Sequence, residues 1–193
     1  MTTQLTDSVR LDGDVHDLVG HDGDDLWQAK AAGVPVVMAS TACWRGYVCG
    51  YAIVGDRLVL DQVDAMIGRY DDDDRLVPIA PPPINGRVAR PLTPGRGQMF
   101  NASYVDLGLA LDVTATLVAA RDPLAEPDGV EAMPWEYRSV ARLDIARGAL
   151  RGRVDLSAAM AEVRAALAAA DLDRAAVALD RAGLSWLRPR LRA

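Results

Sequence analysis

The sequence predicts an α+β fold: a mostly antiparallel sheet, a curled sheet or half-barrel, covered by two C-terminal helices. Three observations predict it. Residues 44–64 alternate in polarity on both sides of Gly55-Asp56, the pattern of two strands joined by a tight turn. Residues 137–156 repeat that pattern around Ala146-Arg147-Gly148. After Ser157 the apolar period lengthens from two to the helical value of about 3.6.

Length and composition bound the rest. The 193 residues suit one domain. They divide into an irregular acidic segment at 1–33, a β-rich domain at 34–156 with a Pro-rich insertion at 68–98, and a helical appendage at 157–193. Half the residues are apolar and a quarter charged, as in ordinary globular proteins. No apolar run approaches the ~18 residues of a membrane span. Met1 to Asp7 shows neither a basic start nor an apolar stretch, so a cytoplasmic location without membrane attachment is expected. The chain has 20 Arg but one Lys (Lys30), and 23 Asp but four Glu. That bias fits a high-GC bacterial genome, and it removes any single Arg as evidence for phosphate binding. The net charge of -6 would repel nucleic acid.

Taken in order, Ser8 to Leu11 reads as a short strand turned by Asp12-Gly13. The stretch that follows is Asp-rich. Its His16-Asp17 and His21-Asp22 pairs offer residue types that bind divalent ions. Both acidic runs lack the glutamate that completes a calcium loop, so a surface loop without metal or cofactor is expected. Leu26 to Ala32 predicts one or two helical turns, stopped by Gly33 and Pro35. Val34 to Ala39 is short, apolar and β-branched, and reads as a strand buried on both faces.

The hairpin at 44–64 places Tyr47, Cys49, Tyr51 and Ile53 on one face, with Gly46 and Gly50 marking a bulge or a close backbone approach. Cys43 and Cys49 match no metal or redox spacing and read as buried free thiols. Residues 68–98 hold Asp71 to Asp74, six prolines and Asn85-Gly86, predicting a long loop or short edge pieces. Tyr104 to Val113 alternates, and Thr114 to Ala120 is continuously apolar; these two are expected to pair with each other. Ser157 and Asp171 are expected to cap the two helices, and Gly183 to end the second. Leu184 to Leu187 is expected to dock on the core, and Arg188 to Arg192 to fray.

No motif for phosphate loops, nucleophile elbows or zinc is present. The nearest constellation is Cys43-Trp44-Arg45-Gly46-Tyr47. An Arg beside aromatic rings can form a recognition pocket. The plainer reading packs Trp44 and Tyr47 into the core and pairs Arg45 with an Asp. Candidate ligand-binding residues are therefore Trp44, Arg45, Tyr47 and the loop arginines Arg87, Arg90 and Arg96. Tyr104 with Asp106, or Arg121 with Asp122, could supply acid and base groups. The segment Thr41-Ala42-Cys43-Trp44-Arg45-Gly46-Tyr47, with the hairpins after it, resembles an uncharacterised bacterial β-rich family with a T-x-C-W-R-G-Y start. That resemblance implies a β-rich domain and transfers no activity.

The leading functional expectation is a non-catalytic binding or interaction module that offers a sheet surface or edge to a protein or small ligand. The alternative is an enzyme acting on a small anionic substrate, with Arg45 and the loop arginines binding it and an Asp as base. An enzyme predicts a deep pocket where Arg45 or Arg87/Arg90 meets a carboxylate of shifted pKa, whereas a binding module predicts no such pocket and an exposed apolar patch instead. A third reading gives the Ala/Leu face of the helices to self-association.

Overall fold

The computed structural model describes residues 4–73, 75–95, 98–125 and 131–192. The chain is α+β. Strands β1 (Asp7–Leu11), β2 (Asp14–Gly23), β3 (Tyr47–Val54) and β4 (Arg57–Ala65) come first. Short pieces follow: β5 (Arg69–Tyr70), β6 (Leu76–Val77), β7 (Arg90–Pro91), β8 (Ala102–Tyr104) and β9 (Leu109–Ala110). Then come β10 (Ala115–Pro123), a 3-10 turn at Pro134–Glu136, β11 (Tyr137–Ala146) and β12 (Ala149–Asp155). Helices α1 (Ser157–Ala168) and α2 (Leu172–Arg181) and a 3-10 helix at Ser185–Arg192 complete it. No helix among the described residues is long and apolar enough to cross a membrane.

The main sheet runs β12-β11-β10-β2-β1-β3-β4, with β8 and β7 continuing beyond β4. All its pairs are antiparallel except β1 with β3. It curls until β12 meets β4 at Ala149↔Arg57, so the ends join in a ring. Backbone bonds from Leu58 N to Gly148 O (2.8 Å) and from Leu150 N to Asp56 O (2.7 Å) hold that seam.

Two apolar clusters follow from this shape. Inside the ring, alternate residues meet: Val9, Leu11, Tyr47, Cys49, Tyr51, Leu58, Leu60, Leu117 and Leu143. Outside it, Val19, Val118, Ala120 and Val140 pack on Met160, Val163, Leu179 and Leu184 of the C-terminal segment. Strand β10 is apolar on both faces for this reason: Leu117 and Ala119 turn inward, Val118 and Ala120 outward. Each large aliphatic side chain so buried contributes about 1.5–3 kcal/mol.

Both hairpins form where alternation placed them, with Gly55 at φ 62° and Arg147-Gly148 at φ 50° and 74° in the turns. The bulge falls between Gly50 and Tyr51. Gly46 is required by a close approach: a Cβ there would lie 2.0 Å from Val37 O, and its φ is 78°. The insertion resolves into short pieces, as proline density dictates: β5 and β6 pair with each other in a separate two-stranded sheet, and β7 pairs with β8 at the edge of the main sheet.

Several expectations need correction. The N-terminal segment is not irregular, since Asp14–Gly23 is a ten-residue strand between β1 and β10. Val19 is skipped in the β2–β10 pairing, so the polarity alternation is broken there. Val34 to Ala39 is no buried strand: it touches the sheet through a single bridge, Val36↔Ile67, and Met38 is 51% exposed. Its apolar residues instead wrap the base of β4, with Val37 N donating to Met66 O. Residues after Tyr104 pair with β4 rather than with β10. The tail at Ser185–Arg192 is helical and tethered by Arg188 to Asp180 and by Arg190 to Glu131.

The helices end as short-range chemistry requires. Asp171 caps α2 by accepting from Arg174 N at 3.0 Å. Gly183 (φ 70°) closes it, with Leu184 N returning to Leu179 O at 2.8 Å. Before α1, Asp155 takes both the N–H (2.8 Å) and the hydroxyl (2.6 Å) of Ser157. Those bonds hold its carboxyl below the usual range, and the Ser157 oxygen accepts from Val140 N instead of capping. Helix α1 ends in the same motif as α2, with Ala170 in the left-handed position at φ 54°. Ala170→Gly is therefore expected to raise stability by about 1 kcal/mol, read as a melting temperature higher by ~2–4 °C.

Candidate functional site

A cleft of about 620 Å³ opens where the sheet splits. Strands β1 and β2 pair from Leu11↔Asp14 up to Asp7↔Leu18. Beyond that point the two backbones diverge. Leu5 N donates to Ala42 O (2.8 Å), and the Gln4 amide bonds Thr41 O (2.7 Å) and Trp44 N (3.1 Å), which draws residues 4–6 toward the Thr41–Trp44 loop. Val19 to His21 continue along β10. Gln4 to Asp7 line one wall of the gap and Leu18 to His21 the other.

Three tryptophans surround it: Trp27, Trp44 and Trp186. Trp44 is 60% exposed at the rim and contributes nothing to the core. Trp27 meets the Tyr47 ring edge-on, with centroids 5.5 Å apart. Trp186 lies on Gly20, where a Cβ would come within 2.7 Å of its ring, so only glycine lets that indole settle over β2. Tyr51, 2% exposed, also lines the cleft.

The polar groups divide into satisfied and unsatisfied. Arg45 gives Nε to Tyr47 O (2.7 Å), reaches Asp7 with both terminal nitrogens, and stacks its guanidinium 4.9 Å from the Tyr47 ring. Burial opposes its charge, but the Asp7 carboxylate more than offsets this and holds Arg45 above its ordinary range. Asp7 also accepts from Cys49 N at 2.6 Å. At the other end Arg190 pairs with Glu131 at 2.7 Å. By contrast, the Tyr51 hydroxyl and the Trp186 Nε1–H are buried and find no hydrogen-bond partner among the described residues. Burial raises the Tyr51 hydroxyl, and the nearby Cys49 thiol and Asp7 carboxylate raise it further.

The thiols are poor nucleophiles. Cys43 and Cys49 are both free and 2% exposed, and burial pushes both upward. His21 shares the cleft with Cys43, but no hydrogen bond joins them among the described residues. His16 is buried, facing Asp14 O at 3.3 Å. No group of three or more potential metal ligands gathers among the described residues. Tyr104 is committed to Pro82 O (2.7 Å), and Arg121 to Asp14 and Asp122.

Of the residues singled out from sequence, Trp44 and Arg45 line the cleft, and Tyr47 supports it from the core through Arg45 and Trp27. Tyr47's hydroxyl donates to Gln28 at 3.0 Å. Arg87 and Arg90 are exposed on the insertion and do not line it. Arg96 lies outside the described residues. Sequence reasoning missed Trp27, Tyr51 and Trp186 as site residues. The available signal was compositional: four Trp against one Phe in a chain only 5% aromatic. Compared with family models, curated proteins and solved structures, the chain matches none of them.

Proposed function

We propose that this chain is a non-catalytic binding module whose ligand occupies the cleft between β1 and β2. The observation that carries this reading is the aromatic lining of a gap opened by divergence of two otherwise paired strands. Small-molecule sites are concave and combine aromatic side chains with directed polar groups; this cleft does both, with Trp27, Trp44 and Trp186 beside Gln4, Asp7, Gln28 and Arg45. The enzymatic alternative on an anionic substrate expected Arg45 to meet a carboxylate in a pocket, and Arg45 does meet Asp7 in the cleft. It draws less support because Arg87 and Arg90 lie away from the cleft, and Arg45 and Arg190 are each already opposed by a carboxylate.

Screening by thermal shift against neutral aromatics, anionic metabolites and divalent metals tests the proposal. A ligand at a hundredfold its Kd adds about 2.7 kcal/mol, a rise of ~5–10 °C for a chain of this size. The rise should be accompanied by a change in tryptophan emission and be reduced in Trp44→Ala, a rim substitution that leaves the core intact. Ligands that act equally on Trp44→Ala and leave the emission unchanged would bind elsewhere and refute the cleft as the site.

One observation favours a second reading. No strand pairs with the β1-facing edge of β2 beyond Leu18 among the described residues, so an extended peptide could add there. Such a ligand would protect from hydrogen exchange those amides between Val19 and His21 that point away from β10; one held by side chains alone would not.

A further inference from the structure

We infer that the cleft takes a proline-rich extended segment of a partner protein, with proline rings against Trp44 and backbone carbonyls bonded by Gln28 and Arg45. The inference rests on the cleft being a ligand site and specifies the class of partner that enters.

The polar lining has donors to spare and few open acceptors. Asp7 already receives two bonds from Arg45 and one from Cys49 N. The side-chain oxygen of Gln4 is taken by Trp44 N, and that of Gln28 by the Tyr47 hydroxyl. On the donor side, a guanidinium has five N–H bonds. Arg45 spends three of them, on Tyr47 O and the two Asp7 oxygens, and its side chain is 39% exposed. The Gln28 amide nitrogen makes no hydrogen bond among the described residues, and Gln28 is exposed. Both residues line the cleft. Tyr47 keeps them near each other, since Arg45 lies over its ring and Gln28 accepts from its hydroxyl. The charges of the lining cancel in pairs, Arg45 with Asp7 and Arg190 with Glu131. An added anion would sit beside one of those carboxylates; a neutral acceptor meets no such repulsion.

A polyproline helix offers the complementary chemistry. Its carbonyls are solvated acceptors with no internal partner, and proline has no N–H, so such a segment brings acceptors and no backbone donors. Aromatic-lined grooves dock these helices, and the fixed φ of proline leaves little entropy to lose on binding. Here Trp27, Trp44 and Trp186 line one space, and Trp44 stands 60% exposed at its rim. The chain's own proline run does not suit the role. Ile79 and Ile84, on either side of Pro81-Pro82-Pro83, pack on the ring interior, and Pro82 O is taken by the Tyr104 hydroxyl at 2.7 Å. Its apolar neighbours and one of its acceptors are already committed, which assigns the cleft to a segment of another protein. A strand added to the edge of β2 would need N–H groups of its own, and a proline run has none, so the two modes of peptide binding are separable.

Three neutral hexapeptides, acetylated and amidated, separate the terms: hexaproline, a Thr-Val repeat and a Gly-Ser repeat. Each is titrated into the full chain and followed by tryptophan emission. Hexaproline is expected to bind at least about tenfold more tightly than either of the others. Trp44→Ala, at the exposed rim, is expected to weaken hexaproline by about tenfold or more. Gln28→Glu keeps the oxygen that Tyr47 uses and removes the spare amide donor, and is expected to weaken hexaproline by about tenfold. Melting temperatures of both variants within ~2 °C of the parent separate a lost contact from a lost fold. If the Thr-Val peptide binds best and protects the His21 amide from exchange, the ligand is an added strand and the inferred class is wrong, although the cleft remains a ligand site. If hexaproline binds both variants as tightly as the parent, it sits elsewhere and the inference is overturned. If no peptide binds, the inference is overturned too, while a small molecule that raises the melting temperature only when Trp44 is present would keep the cleft as a site. Self-association of the chain in sedimentation that disappears in Trp44→Ala would make a second copy the occupant, against the partner inferred.

Discussion

Gly148→Ala is expected to cost about 3–5 kcal/mol. Gly148 sits at φ 74° in the β11–β12 turn, where a side chain is strained even in open space. The space is not open: a Cβ would lie 1.8 Å from Leu111 O and 3.2 Å from the Arg57 guanidinium. Relief would require moving backbone, and that backbone is the seam of the ring. Gly148 N donates to Val113 O and Gly148 O accepts from Leu58 N, both at 2.8 Å. Pushing the turn away from residue 111 would weaken these bonds and the Ala149↔Arg57 bridge together. The expected readout is a melting temperature lower by ~10 °C or more. Arg147→Gly, one position earlier and also at positive φ, serves as the control. It removes left-handed strain without adding an atom and is expected to change stability by less than about 1 kcal/mol. Equal melting temperatures for Gly148→Ala and the parent would show that the seam yields freely.

The contrast between these neighbouring positions shows what was legible in the sequence. Turn chemistry is local, so Gly55-Asp56 and Arg147-Gly148 announced two hairpins, and Asp171 and Gly183 announced a helix cap and stop. Ring closure is not local. Nothing in Ala149 or Arg57 alone marks them as partners. Strand β10 was visible as apolar, but its partners were not, because burial on both faces erases the alternation that separates inside from outside. Strand β2 was hidden for a different reason. Its acids find cross-strand or turn partners, as when Arg121 meets Asp14 and the Tyr137 hydroxyl donates to Asp17 at 3.0 Å. The irregularity at Val19 also breaks its period. Val34 to Ala39 erred in the opposite direction, since apolar residues that line a crossing segment look the same as a strand. The candidate site was half legible. Trp44 and Arg45 stood out because they are adjacent. Trp27, Tyr51 and Trp186 come together only after β2 and the C-terminal 3-10 helix are placed. Trp186 lay in a segment whose docking was foreseen but whose target was not.

Asp7→Ala is expected to destabilise by about 3 kcal/mol, more than the loss of its partner. The two ends of the pair are unequal. The Asp7 side chain is 11% exposed and Arg45 is 39% exposed. Asp7 receives three donors, two from Arg45 and the Cys49 N–H at 2.6 Å. Truncating it strands a half-buried guanidinium and orphans a backbone donor, and the cost of such unpaired groups exceeds the value of the bond itself. Arg45→Met leaves Asp7 still bonded to Cys49 N and better reached by water, and is expected to cost about 1–2 kcal/mol. Melting curves of the two single variants and the double variant check this. The double variant should fall short of the sum, because each single change already breaks the shared contact.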